Sequence, residues 1–336
     1  MLRTLFVCML MSFIAADAYS APALSVYRIL DRISGPDGKW DYATIDSRAR
    51  RLYIGRSYGV MAVDLDTLTV LDTHVPGSMV HGIAAVGDTG LFVSTNGVRN
   101  TATIFEGRSA KVVGEVSTGK DPDAVVFEPK TGLIATIDHD GGDVTLIDPR
   151  GRVAVATIKV GGELEFAAAD GNGLVYINVA DTHRVAVVDI AARRVVYTIP
   201  LAGCKNPTGL AYDAEDSWVI SVCFNGVAMF IDASTRRQIG SIRTGKIPDA
   251  VIWDAARRLV FVPSFKDGNL TVISAQSSRD LRVIQILPTQ PGTRTGALDP
   301  KTGRLYLPTS RLMPSKTGDY PQPVPGTFEI LVVGQE

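Results

Sequence analysis

Ionisable side chains recur in this chain at a fixed distance from a repeating glycine. The glycines follow one another at intervals of 42 residues, at Gly77, Gly119, Gly161, Gly203 and Gly245. Four residues after four of these glycines lie one imidazole and three carboxylic acids, namely His81, Asp123, Glu165 and Asp249. Residues at one repeated position can act together only if the fold brings the repeats around a common point.

Further positions extend this set of side chains. One inserted residue after Gly203 shifts the equivalent position to Thr208. The same alignment assigns Asp41 in the first repeat and Arg294 in the last. The segments that follow the second strand of each repeat add a second set, which consists of Arg56, Asn96, His139, Asn178, Asn225, Lys266 and Arg311.

Several kinds of chemistry are open to such a set. His81, His139, Asp123 and Glu165 could coordinate a divalent cation, because imidazole and carboxylate ligands suit Zn²⁺ and Mn²⁺. Carboxylates together with amide carbonyls suit Ca²⁺. A carboxyl group or imidazole beside Arg294 could act as a general acid or base on a bound anion or lactone. The same residues could also bind a small polar ligand without catalysis, or only solvate a wet channel.

The period of the repeat predicts the fold. A repeat of this length in a strand-rich chain indicates a β-propeller, in which each repeat forms one four-stranded blade. In the third repeat, short β-rich runs at 124–127, 133–137, 144–147 and 153–160 are separated by Gly, Pro and Asp turns. The usable site of a propeller is the mouth of its central channel, which each blade reaches at matching positions.

We therefore predict an all-β, seven-bladed β-propeller over residues 21–336. The blades span about 34–77, 78–119, 120–161, 162–203, 204–245, 246–290 and 291–336. The last repeat has only three strands, so the leftover segment 24–33 is expected to supply the fourth strand and close the ring. Closure pairs the two sheet edges that an open ring would leave exposed.

Residues 1–20 are predicted to form a secretory signal peptide. Arg3 provides the positively charged N-terminal region of the signal peptide, an apolar run covers residues 5–16, and small residues precede the expected cleavage site. The apolar run is too short to span a bilayer. We therefore expect a periplasmic or secreted monomer without a membrane span. In such an oxidising compartment, Cys204 and Cys223 are expected to form a disulfide.

The composition and the motifs exclude several functions. A net charge of −1 and a pI near 6.4 provide no basic field for a nucleic acid partner. The chain has no Cys-x-x-Cys-His for covalent haem, no Gly-x-Ser-x-Gly nucleophile turn, no Walker loop and no His-Glu-x-x-His. A Pro-rich stretch at 310–326 interrupts the last blade, and loops of this length are usually functional or disordered.

Acidic residues also recur where the third strand of a repeat is expected to end. They are Asp64, Glu106, Asp148, Asp189 and Asp232. An aspartate at a tight turn accepts a hydrogen bond from the backbone two residues further on. We therefore interpret this series as hairpin chemistry rather than as an array of metal ligands.

The blade sequences resemble the YVTN-type repeats of bacterial exported propellers. The best copy is the segment 174–189, which begins Leu-Val-Tyr-Ile-Asn-Val, and partial copies occur at 51–54 and 259–262. The Asn of the motif is displaced to Asn178, and most blades lack the Tyr. The resemblance covers essentially the whole mature chain. It implies the propeller architecture and a binding or surface role, and it names no activity.

Two functional hypotheses follow from these observations. The first is an exported propeller that binds a small polar ligand or a partner protein at the channel mouth. The second is a metal-assisted hydrolase or lyase, similar in shape to metal-dependent propeller lactonases. In that enzyme His81 and His139 would bind the ion, and Asp123, Glu165 or Asp249 would act as ligand or base. A redox-cofactor propeller is disfavoured, because the chain has no haem motif and few aromatic residues to enclose a quinone.

Overall fold

The computed structural model of the protein describes residues 26–72, 74–315 and 321–335. These residues contain no helix, and their strands form seven antiparallel sheets around a central channel. The prediction of an all-β, seven-bladed β-propeller is therefore confirmed. The predicted signal peptide lies outside the described residues. None of the described chain forms an apolar helix of membrane-spanning length.

Each blade is a run of strands that begins beside the channel and ends at the outer surface. Blades one and two consist of Trp40–Asp46, Arg51–Arg56, Gly59–Asp64, Thr69–Val70 and Val75–Pro76, and of Val80–Ala85, Leu91–Asn96, Thr101–Glu106 and Val112–Ser117. Blades three and four consist of Pro122–Glu128, Leu133–Asp138, Asp143–Asp148 and Val153–Lys159, and of Leu164–Ala169, Leu174–Val179, Arg184–Asp189 and Arg194–Pro200. Blades five and six consist of Pro207–Asp213, Trp218–Cys223, Val227–Asp232 and Arg237–Arg243, and of Ile252–Asp254, Leu259–Ser264, Asn269–Ser277 and Asp280–Pro288.

Blade seven combines the two ends of the chain. Its inner strands are Ala297–Leu298, Leu305–Thr309 and Glu329–Gly334, and its outer strand is Arg28–Ser34. The outer strand pairs antiparallel with Glu329–Gly334 over its whole length. The predicted closure by the start of the chain is confirmed. The strand ends at residue 34, one residue later than the sequence pattern predicts.

The hydrophobic core lies between the blades. The two middle strands of a blade are buried on both faces, because each blade is enclosed by two neighbours. In Leu174–Val179, for example, every residue after the first is buried. Its side chains share a cluster with Ile137 and Val144 of blade three. Burial on both faces explains why the middle strands read as continuous apolar runs.

The acidic residues at the ends of the third strands hold hairpin turns. Asp64 Oδ1 accepts hydrogen bonds from the backbone N–H groups of Asp66 at 3.0 Å and Thr67 at 2.9 Å. Asp232 accepts the equivalent bonds from Ser234 and Thr235. These hydrogen bonds lower the pKa of both aspartates. The predicted turn role is confirmed at these two positions.

Cys204 and Cys223 form the predicted disulfide, with Cα atoms 5.5 Å apart. The bond ties the loop that enters blade five to the end of the strand Trp218–Cys223. Both cysteines are buried. The bond joins residues 19 positions apart in sequence, and a disulfide that closes a loop of this length stabilises a fold by roughly 3 kcal/mol.

Ile33→Ala tests how much the closing strand stabilises the ring. Ile33 is buried in a cluster with Trp40, Met61 and Phe328. Because the substitution leaves a cavity there, we expect the free energy of unfolding in urea to fall by about 2–4 kcal/mol. Val26→Ala serves as the control, since Val26 is exposed and its truncation should cost less than about 0.5 kcal/mol. Equal effects of the two substitutions would contradict this role for the closing strand.

Candidate functional site

Loops from several blades converge on a cavity of about 260 Å³ at the channel mouth. Seven of the eight predicted site residues line it, namely Asp41, His81, Asp123, His139, Glu165, Asp249 and Arg294. The rest of the wall is formed by Tyr42, Asp121, Phe224, Ile247 and Phe265. Side chains far apart in sequence but equivalent in the repeat therefore meet in one place. We call the carboxyl groups of Asp41, Asp123, Glu165 and Asp249 the acidic ring.

A β-bulge near the start of the inner strand directs these side chains into the channel. In blade three, Pro122 is opposite Asp138 and Ala124 is opposite Ile137, so that Asp123 is an extra residue. The inner strands of blades one, two, four and five have a register shift at the corresponding place. A bulge kinks its strand and re-aims a side chain. The repeated bulge therefore brings equivalent residues of these blades to the channel.

Glycines beside the bulges let neighbouring inner strands approach closely. A Cβ atom on Gly55 would lie 2.5 Å from the carbonyl oxygen of His81 in the next blade. A Cβ atom on Gly82 would lie 2.9 Å from the carbonyl oxygen of Asp123. Real side chains do not tolerate such contacts with backbone atoms. The narrow channel mouth thus depends on residues that have no side chain.

His81 is enclosed by three aspartates. Its Nδ1–H donates a hydrogen bond to Asp41 Oδ2 at 2.6 Å, and the same nitrogen is 3.4 Å from Asp123 Oδ1. Its Nε2 is 3.9 Å from Asp121 Oδ1. Burial disfavours the charged imidazole, but the hydrogen bond and the negative charges together outweigh it and raise the pKa of His81 to about 9. The imidazole of His81 therefore carries a positive charge at neutral pH.

Arg294 connects blade seven to both of its neighbours. Its Nη1 lies 3.2 Å from Asp249 Oδ2, and its Nη2 lies 3.6 Å from Asp41 Oδ2. Nη2 also donates a hydrogen bond to the carbonyl oxygen of Trp40 at 2.7 Å. The carbonyl oxygen of Arg294 accepts a bond from the backbone of Ala250. The guanidinium is thus held in place between two members of the acidic ring.

Three groups of the acidic ring are weaker acids than usual. Burial is the largest cause, because it disfavours the charged carboxylate. The negative charge of neighbouring carboxylates acts in the same direction. Together they raise the pKa of Asp123 to about 6, the pKa of Asp249 to about 7 and the pKa of Glu165 well above its ordinary range. The positive charge of His81 partly lowers the pKa of Asp123, and that of Arg294 partly lowers the pKa of Asp249.

Asp41 is the strongest acid of the ring. Burial opposes its ionisation, but the charge of Arg294 and the hydrogen bond from His81 lower its pKa. Tyr42 lies beside it with its ring against Phe166, at 4.6 Å between centroids. Burial and the surrounding carboxylates raise the pKa of Tyr42. Its phenol therefore stays neutral and can donate a hydrogen bond into the cavity.

The predicted metal ligands fall into two groups. Asp41, His81 and Asp123 each offer one ligand atom, and these atoms lie within 4.8 Å of one another. His139 donates its Nδ1–H to a backbone carbonyl of blade four at 2.8 Å, and the same nitrogen lies 3.7 Å from Glu165 Oε1. The compact group therefore contains two of the four predicted ligands together with Asp41. His139 and Glu165 form a separate pair.

Thr208 is the predicted site residue that does not line the cavity. Its side chain is buried, and its hydroxyl donates a hydrogen bond to the carbonyl oxygen of Pro248 at 2.9 Å. Its own carbonyl accepts a hydrogen bond from the Asn178 amide at 2.7 Å. The short side chain bonds to blade six instead of reaching the channel, and the backbone carbonyl of Thr208 makes the link to blade four. Alignment by spacing identifies the position correctly but not the direction of its hydroxyl.

The sequence alignment missed two aromatic residues of the cavity wall. Phe224 and Phe265 directly follow the second strands of blades five and six, as His139 does in blade three. The alignment instead selected Asn225 and Lys266, which lie one residue further along the chain. Counting from the end of each apolar second strand would have found the aromatic pair.

Two loop residues of the wall were missed for a different reason. Asp121 and Ile247 each lie two residues after a repeating glycine. Their φ angles are 53° and 54°, so both occupy the left-handed region at a loop tip. Their shared offset from the glycine is the signal that could have identified them.

Comparisons with known proteins support the architecture. The chain aligns with hydrazine synthase of Kuenenia stuttgartiensis at a TM-score of 0.68 and 15% identity, covering 88% of this chain and 96% of that one. It aligns with a chain of a mitotic checkpoint complex at a TM-score of 0.74 and 13% identity, covering 98% of this chain and 99% of that one. It aligns with the Cps50 (Swd1) β-propeller domain of Myceliophteria thermophila at a TM-score of 0.73 and 12% identity, covering 92% of this chain and 99% of that one. The chain is a seven-bladed β-propeller.

These similarities extend over nearly the whole of each propeller chain, but at this level of identity they show the fold alone. No protein-family model matches the chain, and no curated protein matches it. Membership of the YVTN-type family therefore stays a prediction. The function has to be argued from the cavity itself.

His81→Gln tests the charge on the buried imidazole. The pKa of His81 is about 9 in the folded chain and about 6.5 in the unfolded one. Its charge therefore contributes stability that is complete below pH 6.5 and is lost as the pH rises through 9. We expect urea unfolding to show a deficit of roughly 3 kcal/mol for the variant at pH 6, which shrinks by pH 10. His74→Gln removes an exposed imidazole as the control, and a pH-independent deficit at position 81 would contradict the prediction.

Proposed function

We propose that the protein is an exported propeller that binds a small polar ligand at the mouth of its channel. The observation that carries the proposal is the charge balance of the cavity. Its wall holds the four carboxyl groups of the acidic ring and that of Asp121, and two cationic side chains, His81 and Arg294, oppose them. Full ionisation of these five groups would leave three negative charges uncompensated.

A ligand with a positively charged group fits this imbalance. The raised pKa values of Asp123, Asp249 and Glu165 reflect the cost of ionising the whole ring in the free protein. A bound cation offsets that cost, so that carboxyl groups lose their protons and pair with it. An alkylammonium group satisfies this requirement, and a cavity of about 260 Å³ suits a small molecule.

A partner protein could present the same chemistry through a lysine or arginine side chain. We favour a small molecule, because the carboxyl groups lie inside a cavity and not on an open face. The side chains of Asp41, Asp123 and Asp249 are at most 18% exposed. A protein partner would have to insert a long side chain to reach them.

We also propose that the protein acts outside the cytoplasm, as a periplasmic or secreted monomer. The disulfide between Cys204 and Cys223 supports this location, because such bonds persist in oxidising compartments. The predicted signal peptide at residues 1–20 supports it independently. Sequencing the N-terminus of the exported protein tests the predicted cleavage.

Glu165→Gln separates binding from folding. The substitution keeps the shape of the side chain and removes an acid whose ionisation is opposed by burial and by Asp123 and Asp249. At pH 8 we expect the variant to be at least as stable as the wild type in urea. In isothermal titration calorimetry it should bind hexylammonium about tenfold more weakly.

The affinity of the wild type for hexylammonium should rise between pH 5 and pH 8, because Asp123 and Asp249 ionise near pH 6 and 7.

Glu115→Gln is the matched control for this experiment. Glu115 lies on the outer strand of blade two, where it pairs with Arg99 away from the cavity. The control should bind hexylammonium as the wild type does. The proposal fails if the wild type prefers hexanoate to hexylammonium, or if the two glutamine variants lose the same affinity.

A metal-assisted hydrolase or lyase is the second candidate function. The observation that favours it is the compact group of Asp41, His81 and Asp123. A divalent ion bound there could polarise the carbonyl of an ester or lactone and lower the pKa of a bound water. Glu165 or Asp249 in the same cavity could then act as the base. The ion would have to displace the proton that His81 shares with Asp41.

Metal content tests this second candidate. One transition metal or calcium ion per purified chain, lost in His81→Ala and kept in the control His74→Ala, would support it. A metal-free protein whose thermal unfolding does not shift with added Ca²⁺, Mn²⁺ or Zn²⁺ would exclude it. The result does not affect the test with hexylammonium, which uses a probe without any metal.

A further inference from the structure

A second cavity of about 230 Å³ adjoins the acidic ring on the side of blade one. Asp41, His81, Phe265 and Arg294 line both cavities, so the two meet at these side chains. The rest of the second cavity is lined by Lys39, Trp40, Arg56 and Ser57, with Met79 and Leu312 among its apolar members. We call this cavity the donor pocket. Apart from the shared residues, its polar side chains are hydrogen-bond donors, whereas those of the acidic ring are carboxylic acids.

The donor pocket has a buried guanidinium with no carboxylate of the described residues at hydrogen-bond distance. Arg56 donates to the carbonyl oxygens of residues 36, 38 and 39, and its Nη1 lies 3.1 Å from Met61 Sδ. Its guanidinium carbon lies 3.7 Å from the centre of the Phe328 ring. Within the described chain it takes part in no ion pair, and the acid whose charge acts on it is the exposed Asp37. A buried charge without a carboxylate in contact favours the approach of an anion.

Trp40 adds a buried donor without an acceptor. The side chain is 6% exposed and lines the donor pocket. In the part of the chain that the structure describes, its Nε1–H has no hydrogen-bond partner. The indole nitrogen is a donor only, and an unpaired buried donor costs about 1–3 kcal/mol. A ligand oxygen that reached this nitrogen would remove this cost.

Lys39 gives the pocket a further positive charge besides those of Arg56, His81 and Arg294. A lysine can donate three hydrogen bonds and accept none. Asp41 is the acid that lines this pocket, and it is already shared by His81 and Arg294. The donor pocket therefore offers donors and positive charge, whereas the adjoining ring offers carboxylates.

We infer that the ligand is a zwitterion whose amine lies in the acidic ring and whose carboxylate lies in the donor pocket. The inference rests on the proposed function, since it assumes a positively charged group in the ring. Met79 and Leu312 provide apolar surface for a chain of methylene groups between the two charges. The opposite charges of the two cavities fix the orientation of such a ligand. An ω-amino acid is the simplest molecule with these features.

Calorimetric titration with matched probes tests the inference. We use hexylamine, hexanoate and 6-aminohexanoate at pH 8, with 4-aminobutyrate and 8-aminooctanoate to vary the distance between the charges. The best ω-amino acid should bind about tenfold or more tightly than hexylamine, which corresponds to about 1.4 kcal/mol. If hexylamine binds and no ω-amino acid binds more tightly, the inference is overturned and the proposed function stands. If no probe binds, the proposed function fails and the inference fails with it.

Two variants locate the carboxylate of the ligand. Lys39→Met removes a charge, and Trp40→Phe removes the indole N–H but keeps an aromatic ring beside Phe328. Each should reduce the preference for the ω-amino acid over hexylamine by about fivefold or more. Lys205→Met is the matched control, because Lys205 is exposed on the loop that enters blade five and lines neither cavity. An unchanged preference in both variants would overturn the assignment to the donor pocket.

Discussion

The burial of several carboxyl groups side by side at the channel mouth is the constraint on which the rest of this site depends. The propeller brings equivalent residues of different blades into one small volume, and in blades one to four a β-bulge turns them inward. Acids far apart in sequence therefore become close neighbours, where burial prevents water from screening their charges. His81 and Arg294 compensate part of this charge through Asp41 and Asp249. In the proposed function, the remaining negative charge attracts a cationic ligand.

Such a site requires a scaffold that is stabilised elsewhere. The apolar clusters between blades, the closing strand at 28–34 and the disulfide in blade five hold the ring of blades together. Their combined packing offsets the cost of gathering the acids, which is the usual relation between a functional site and the rest of a fold. On the same principle, replacing Glu165 by its amide should preserve or increase stability while weakening binding, whereas the lowered pKa of Asp41 indicates that its charge stabilises the fold.

The sequence predicts the architecture and most members of the site, because both follow from one period. The hydroxyl of Thr208 bonds to a backbone carbonyl of the next blade, which spacing alone does not show. Phe265 was missed because the alignment counted one residue too far past the second strand. The pairing of His81 with Asp41 joins two blades and is equally invisible in the sequence. The donor pocket depends on the burial of Arg56 without a carboxylate of the described chain in contact, which only the folded chain shows.

The most direct test of this account is a carbon-13 NMR titration of the side-chain carboxyl groups in the ligand-free protein. Assignments would come from the single amide variants of the four ring residues. Asp123 and Asp249 should titrate near pH 6 and 7, Glu165 well above its ordinary range and Asp41 below its own. Ordinary pKa values at all four positions, near 3.9 for Asp and 4.3 for Glu, would contradict the account.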